Sequence, residues 1–291
     1  MSDLIAIDQI DMFVADIVDV TPKSDENSMS LPIFAVSSKP DTDKYRYENK
    51  ETGDWIEIIP SADGRATIHD KDLLIYAFSQ MAEASNQGRE ISRRIRIQAY
   101  SYLTSTGKGT DGKSYKAIGD TLARLRGTTV RTNSVNTEDK LSAKTEVYGL
   151  IDYGSAITDR KGRLVHFDVV ISVPFFNAVN NREIIEYNRK YFSIRSPYER
   201  RLYELSRQKC GEKDLSWEPA LEDIWHIYGV KSPLKEFRRK IKGCVKKQNI
   251  PDYFLEYKAS KTPQAPDYLV VMYDPGNKRA NRTLFNGVLT T

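Results

Sequence analysis

Cysteine is scarce in this chain, and long apolar runs are missing from it. The 291 residues include two cysteines, Cys210 and Cys244, and neither belongs to a Cys-x-x-Cys pair. A disulfide framework needs more cysteines than this, so two reduced thiols are expected. No run of about 18 apolar residues is present, which argues against a membrane-spanning helix. The first residues also lack the basic and then apolar pattern of a secretory signal, so a cytoplasmic protein with no membrane partner is expected.

Groups suited to catalysis are few as well. The histidines are His69, His166 and His226, and their spacing matches neither His-x-x-x-His nor His-Glu-x-x-His. Gly107 to Ser114 match the Gly-x-x-x-x-Gly-Lys-Ser/Thr spacing of a Walker loop, but a short predicted helix over 100–104, and not a strand, precedes them, so no ATPase is expected. A tyrosine-dependent DNA-nicking enzyme would need a histidine cluster for its metal, and none is found. We therefore expect no catalytic residue, no metal and no cofactor, in a protein that is not an enzyme.

Acidic charge is concentrated at one end of the chain. The net charge is +4, but residues 1–28 hold seven acidic residues and one basic residue, so they carry −6 and the remainder carries +10. A basic body favours a polyanionic partner, although many proteins reach this charge without one.

The pattern predicts an α+β chain with two tandem winged-helix domains, each a helix-turn-helix followed by an antiparallel β-ribbon. Residues 1–30 are predicted to be a flexible acidic leader, 31–190 the N-terminal domain, and 191–291 the C-terminal domain with its tail. The strongest helix-start signal is the capping box with proline at Ser196-Pro197-Tyr198-Glu199. Predicted helices span 70–84, 100–104, 114–126, 196–210, 218–227 and 232–248, and predicted strands span 32–36, 45–48, 55–59, 94–99, 128–132, 146–157, 164–171, 253–258 and 268–273.

The third helix of the C-terminal domain is strongly basic. Between Lys231 and Lys247 there are eight basic residues and one acidic residue, Glu236. Helical spacing turns Leu234, Phe237, Ile241 and Val245 toward the core, which leaves the bases facing outward. Such a face fits the DNA major groove, whereas a merely solvated face normally mixes charges of both signs. Predicted DNA contacts are Lys231, Ser232, Lys235, Arg238, Arg239, Lys242 and Lys246, with Lys258 and Lys261 on the ribbon, where they are also typical solubilising residues.

The third helix of the N-terminal domain carries a weaker version of the same pattern. Its bases are opposed by Asp120, and Tyr115 sits near its start. A structural interpretation, with Tyr115 in the core and the bases solvated, stays open beside DNA binding. The predicted DNA contacts of this domain are Arg93, Arg94, Lys113, Ser114, Lys116, Arg124, Arg126 and Arg131.

A series of motifs runs from residue 60 to residue 130: Pro60-Ser61 to Gly64, Ala66-Thr67-Ile68, Asp70 to Tyr76, Ser79-Gln80, Ser92-Arg93, Gly112 to Tyr115, Leu122, Leu125 and Thr128-Thr129-Val130. Together they resemble the plasmid replication initiators of the replication initiator protein A type. The resemblance covers about 31–273 and is strongest over 60–132.

The resemblance implies paired winged helices that bind repeats (iterons) in double-stranded origin DNA and help to melt the origin. It further implies recruitment of the host initiator and replicative helicase, and a dimer that represses its own gene. A winged-helix transcriptional repressor is the alternative, because it would share the basic helix. A nicking enzyme is the third interpretation, which a metal-dependent nick in origin DNA would support.

A short motif lies in the leader. Gln9, Ile10, Asp11, Met12 and Phe13 resemble the peptide with which bacterial proteins dock on the replicative sliding clamp. A flexible acidic leader would make such a motif reachable. The other interpretation is an amphipathic leader that folds back on the body.

Overall fold

A computed structural model describes residues 11–37, 41–49, 53–133, 144–260, 262 and 265–279. They form a mixed α+β chain with two compact units. Unit 1 comprises Met1–Glu26 and Ile33–Glu186, and unit 2 comprises Asn27–Pro32 and Tyr187–Thr291. The helices are α1 (Glu26–Ser30), α2 (Lys71–Asn86), α3 (Ala99–Ser105), α4 (Gly112–Gly127), α5 (Val173–Asn180), α6 (Pro197–Lys209), α7 (Leu221–Tyr228) and α8 (Leu234–Lys247), with a 3-10 helix at Arg189–Ser193.

The strands alternate with these helices along the chain. They are β1 (Met12–Ala15), β2 (Lys23–Asp25), β3 (Tyr45–Glu48), β4 (Trp55–Ile59), β5 (Arg94–Gln98), β6 (Thr129–Thr132), β7 (Glu146–Gly149), β8 (Ile151–Thr158), β9 (Leu164–Ile171), β10 (Ile184–Glu186), β11 (Ser216–Trp217), β12 (Tyr253–Lys258) and β13 (Tyr268–Tyr273). The predicted strand over 32–36 is wrong, because that segment is buried and forms only an isolated bridge between Ala35 and Thr67.

Unit 1 is built around α2, whose residues 71–82 are all buried. A four-stranded sheet in the order β1-β5-β9-β8 packs its inner side chains, including Ile95, Ile97 and Val169, into the core. A second sheet has the order β3-β4-β6-β7, and β2 pairs with β10. The predicted strand over 146–157 is in fact two strands, because the chain leaves the second sheet at Leu150 and enters the first.

The order of elements around α2 is helix, strand, helix, helix and β-hairpin. Helices α3 and α4 follow β5, and the β8–β9 hairpin follows after the β6–β7 excursion. Strand β5 pairs with β9, the last strand of the hairpin, rather than with β8.

Unit 2 has the same order of elements. Helix α6 is followed by β11, then α7, α8 and the β12–β13 hairpin, and the sheet order is β11-β13-β12. The first strand again pairs with the last. Helix α6 begins as its capping box predicts, because the Ser196 side chain accepts a hydrogen bond from the Glu199 N–H.

The expectation of a flexible leader is wrong for the part of it that is described. Strand β1 pairs in parallel with β5 and buries Phe13 and Ala15. The polar side of α2 holds the following chain in place: Gln80 bonds both the N–H and the carbonyl of Ile17, and Ser79 accepts from the Lys23 N–H. Alternating acidic and apolar residues were therefore the period-two pattern of an edge strand. Residues 1–10 lie outside the described residues.

Unit 2 is completed by a segment from early in the chain, Asn27–Pro32. The buried Arg201 guanidinium donates to the carbonyl oxygens of Met29 (2.8 Å) and Leu31 (3.2 Å), and to that of Ile227 (3.0 Å). Met29 is fully buried. The predicted domains, divided near residue 190, missed this return of the chain.

Candidate nucleic-acid interface

Helix α8 is fixed in rotation by its apolar side. Phe237, Ile241 and Cys244 are buried, and the Phe237 ring lies 4.9 Å from that of Tyr228 between ring centroids. Leu234 and Val245, predicted to face the core, are half-buried instead. The helix spans 14 residues, so its exposed side offers a surface about 21 Å long.

The exposed side of α8 is basic as predicted. Exposed residues on it and just before it are Lys231, Lys235, Arg239, Lys242 and Lys246. Ser232 is half-buried, and its carbonyl accepts from the Trp225 indole at 2.9 Å, which closes the turn between α7 and α8. These residues are brought together on one surface, which we call the α8 basic face.

Three carboxylates pair with bases on or beside this face. Arg238 Nε donates to Asp267 Oδ2 at 2.5 Å, and Arg239 pairs with Glu236 at 3.0 Å within the helix. Lys258, on β12, pairs with Glu218 at 2.8 Å. The α8 basic face is therefore less one-sided than the helix sequence suggests, since Asp267 comes from just before β13. Lys261 lies outside the described residues.

In unit 1, helix α4 presents a smaller set of bases. Asp111 caps the helix by accepting from the Ser114 N–H, and this hydrogen bond holds the pKa of Asp111 below its usual value. Lys113, Lys116 and Arg126 are exposed, while Ser114 is half-buried.

Arg124 must be removed from the predicted DNA contacts. Its guanidinium turns inward and forks onto Asp70 at 2.8 and 2.6 Å, and Thr121 donates to the same carboxylate at 2.7 Å. Burial would raise the pKa of Asp70, but the bonds from Arg124 and Thr67 outweigh it, so the pKa lies below its usual value. Arg124 holds α4 to the start of α2.

The other predicted arginines of unit 1 are also bonded to carboxylates. Arg93 pairs with Asp152 at 3.0 Å, and Arg94 lies 3.7 Å from Asp168, which Arg96 binds through two nitrogens at 2.8 Å. Arg131 lies on β6 in the second sheet and pairs with Glu57 at 2.9 Å. The structure does not gather these arginines beside Lys113 and Lys116.

The tip of the β8–β9 hairpin supplies bases that our sequence reasoning missed. Arg160, Lys161 and Arg163 are all exposed there, with Arg163 held by Asp159 at 2.8 Å. A groove of about 790 Å³ separates the hairpin from α4 and is lined by Tyr100, Tyr115, Lys116 and Arg163 among others. The available signal was the basic Arg160-Lys161-Gly162 turn between the two strands predicted over 146–157 and 164–171.

The clamp-like motif is not presented as a free peptide. Phe13 is 5% exposed and the Arg89 guanidinium lies 5.6 Å above its ring, whereas Met12 is 41% exposed on the opposite side of β1. The Asp11 carbonyl accepts from the Ser92 hydroxyl. Gln9 and Ile10 lie outside the described residues. In this conformation the expectation of a reachable Phe13 is wrong, because β1 pairs with β5.

In residues 11–279, leaving out the gaps given above, no three His, Cys, Asp or Glu side chains are grouped so that they could hold a metal ion. In the same residues no helix is long and apolar enough to cross a membrane.

Comparison with known proteins gives a consistent result. The sequence model of the family "Replication initiator protein A" matches residues 23–255. A "Putative replication protein" of Wigglesworthia glossinidia brevipalpis is 33% identical over 255 residues, which cover 86% of this chain and 90% of that protein. Two crystal structures of domains 2 and 3 of RctB share the fold. One has a TM-score of 0.63 at 13% identity over 86% of this chain and 98% of that one, and the other has 0.51 at 14% over 83% and 95%.

Proposed function

This chain belongs to the replication initiator protein A family, and from that premise we propose that it binds repeats in double-stranded origin DNA through two winged-helix units. The observation that carries the proposal is the α8 basic face, which is exposed and continuous over one helix. Bound in this way, the protein would help to open the origin. No catalytic step, metal or cofactor enters the proposal.

The topology of each unit supports the winged-helix assignment. A winged helix has three helices and a hairpin, and its first strand pairs with the last strand of the hairpin. Unit 1 has this order in α2, β5, α3, α4 and the β8–β9 hairpin, and unit 2 has it in α6, β11, α7, α8 and the β12–β13 hairpin. In such a fold the third helix enters the major groove.

The chemistry of the α8 basic face fits duplex DNA. Lysine side chains such as Lys235, Lys242 and Lys246 neutralise phosphates, which gives affinity without sequence preference. Arginine forks onto guanine O6 and N7, so Arg238 and Arg239 are the side chains suited to read bases. In unit 1, Lys113 and Lys116 would act with the hairpin tip of Arg160 and Lys161, on phosphates or in the minor groove.

The test is selection of binding sites from a randomised duplex library, followed by affinity measurements over a salt series. We expect a recovered consensus, a steep loss of affinity with salt, and a loss of about 1–3 kcal/mol on the consensus for Arg239→Ala. Glu222→Ala, an exposed change on α7, is the control. Recovery of no consensus by the wild-type protein would overturn sequence-specific binding.

A transcriptional repressor with the same two units would pass that test, so a second measurement is needed. Replication of a plasmid that carries the selected sites and lacks its own initiator gene separates the two functions. An initiator restores replication, and a repressor only lowers expression of a reporter placed behind the sites. We also propose that the protein recruits the host initiator and the replicative helicase and that it pairs with a second copy of itself. No residues are assigned to these interactions.

Docking on the sliding clamp is proposed only for a state in which β1 has left β5, because Phe13 must become reachable. Phe13→Ala would also disturb the core, so the exposed Met12 is the better position to change. We expect Met12→Ser to weaken binding of the whole protein to purified clamp, while Val14→Ser, at 44% exposure and outside the motif, leaves it unchanged. Equal binding by both variants and wild type would sink the clamp assignment.

A further inference from the structure

Asp267 lies at the junction of the elements that carry the proposed DNA surface of unit 2. Its Oδ2 accepts from Arg238 Nε of α8 at 2.5 Å, and its Oδ1 accepts from the Ser260 N–H in the β12–β13 loop at 2.9 Å. Its main-chain carbonyl accepts from the Leu221 N–H, at the first residue of α7, at 2.8 Å. One residue thus joins α7, α8 and the loop of the hairpin.

The carboxylate of Asp267 is held in its ionised form. Burial alone would raise the pKa of Asp267, but the Ser260 N–H, then the Tyr257 hydroxyl and the Arg238 guanidinium, lower it, so the pKa lies below its usual value. Its side chain is 13% exposed. A negative charge at this place repels phosphate, so by charge alone it reduces affinity for every DNA sequence equally.

The geometry of the Arg238 bond gives the carboxylate a different role. Because Nε is bonded to Asp267, the plane of the guanidinium is fixed while Nη1 and Nη2, the nitrogens that fork onto guanine, lie at its far end. Arg239 differs, since its partner Glu236 is exposed on the same helix and an exposed pair restrains a side chain weakly. The two neighbouring arginines are therefore held to different degrees.

We propose that Asp267 is a specificity-determining positioning residue, which aligns Arg238 and the β12–β13 loop for one DNA sequence at the expense of affinity for DNA in general. This inference rests on the proposed function of the α8 basic face. It predicts opposite effects on two measured quantities when the charge of Asp267 is removed. Affinity for unrelated DNA rises or stays constant, and preference for the selected sequence falls.

The experiment uses the full-length protein, a duplex selected by the wild type from a randomised library, and the same duplex with its sequence shuffled. In Asp267→Asn the amide oxygen still accepts from Ser260, which protects the fold, and a melting curve verifies it. We expect the ratio of the two affinities to fall by about tenfold, the amount typical of one bidentate base contact, without loss of affinity for the shuffled duplex.

Two further variants separate positioning from charge. Glu222→Gln removes one exposed negative charge from α7 and leaves both arginines with their carboxylates, so it should raise or maintain affinity for both duplexes alike and leave their ratio unchanged. Arg238→Ala should lower the ratio as Asp267→Asn does, and combining the two should lower it no further, since both act through one contact.

The outcomes distinguish this inference from the function on which it rests. If wild type selects no consensus, sequence-specific binding itself is wrong. If wild type prefers its selected duplex and Asp267→Asn keeps that ratio, the positioning role is wrong while the proposed function stands. An equal fall of the ratio in Glu222→Gln would also overturn it, because charge alone would then explain the effect.

Discussion

The two units have the same order of helices and strands, yet they attach their third helix in different ways. In unit 1, α4 is held by the inward Arg124, which forks onto the buried Asp70. In unit 2, α8 is held by the apolar contacts of Phe237 and Ile241, and its two arginines pair with carboxylates that are not fully buried, those of Asp267 and Glu236. A helix that uses its arginine for attachment has fewer bases for a ligand.

At the hairpins the difference is reversed, because the hairpin of unit 1 is more basic than the hairpin of unit 2. The β8–β9 tip of unit 1 carries three exposed bases, Arg160, Lys161 and Arg163. In unit 2 the hairpin contributes Lys258, which is paired with Glu218, and Asp267, which is paired with Arg238. We therefore propose that unit 2 contacts DNA mainly through its third helix, and unit 1 mainly through its hairpin.

Removal of the aromatic anchor of α8 should have the largest effect. Phe237→Ala empties a fully buried site beside Tyr228 and Tyr198, and we expect a loss of about 3–5 kcal/mol in the unfolding free energy of unit 2. Urea unfolding in a Trp55→Phe background reports on unit 2 alone, because the remaining tryptophans, Trp217 and Trp225, both belong to it. A loss below about 1 kcal/mol would contradict the apolar attachment.

Breaking the Asp70–Arg124 ion pair of unit 1 should have the second-largest effect. Asp70→Ala leaves the Arg124 guanidinium without its carboxylate, and we expect a loss of about 3 kcal/mol. The unfolding signal is Trp55 in a Trp217→Phe, Trp225→Phe background. Replacing Arg124 with alanine as well should restore part of the stability, because no uncompensated charge remains; simple addition of the two losses would argue against a coupled pair.

Acid should destabilise unit 1 through the same carboxylate and through Asp168. Bonds from Arg124 and Thr67 outweigh burial at Asp70, and Arg96 acts on Asp168, so both folded pKa values lie below the unfolded value of about 3.9. Their stabilisation is complete above that value and is lost as pH falls through the folded pKa values. We expect the Trp55 transition to weaken below about pH 4, and to weaken less in Asp168→Asn. An identical slope in both proteins would refute the assignment.

Substitutions in the hairpins should have the smallest effects, and these effects are on the affinity for DNA. Arg160→Ala with Lys161→Ala should lower affinity for all DNA alike and reduce the salt slope by about 2, the value for two lost phosphate contacts. Lys258→Ala in unit 2 should change the slope by less than about 1, because this lysine is already paired with Glu218. A larger effect of Lys258 would reverse the inferred division of roles.

Local signals in the sequence were sufficient for much of unit 2 and for strands β3, β4 and β6 of the second sheet of unit 1. The period of Phe237 and Ile241 gave the orientation of α8, and Ser196-Pro197 gave the start of α6. Contacts between distant residues were beyond local patterns. Arg124 meets a carboxylate 54 residues earlier, and Arg238 meets one 29 residues later, so neither partner could be found from helix spacing.

The N-terminal region was misjudged for a similar reason. A short acidic stretch that alternates with apolar residues favours disorder when it is considered alone. Its order depends on Gln80 and Ser79, which bond the backbone at Ile17 and Lys23 from more than fifty residues away. The buried aromatic of the clamp-like motif follows from that docking.

The hydrogen bonds from Arg201 to the carbonyl oxygens of Met29 and Leu31 determine when unit 2 can fold during synthesis and how it can be produced. Met29 and Arg201 are 172 residues apart, and the ribosome synthesises Met29 long before Arg201. Unit 2 therefore stays incomplete until all of unit 1 has been synthesised. A truncated protein that begins at residue 187 would keep α6, α7 and α8, but the buried guanidinium would lose its carbonyl partners at Met29 and Leu31 and keep only the one at Ile227. An isolated unit 2 should therefore be produced by co-expression with a peptide spanning 27–32.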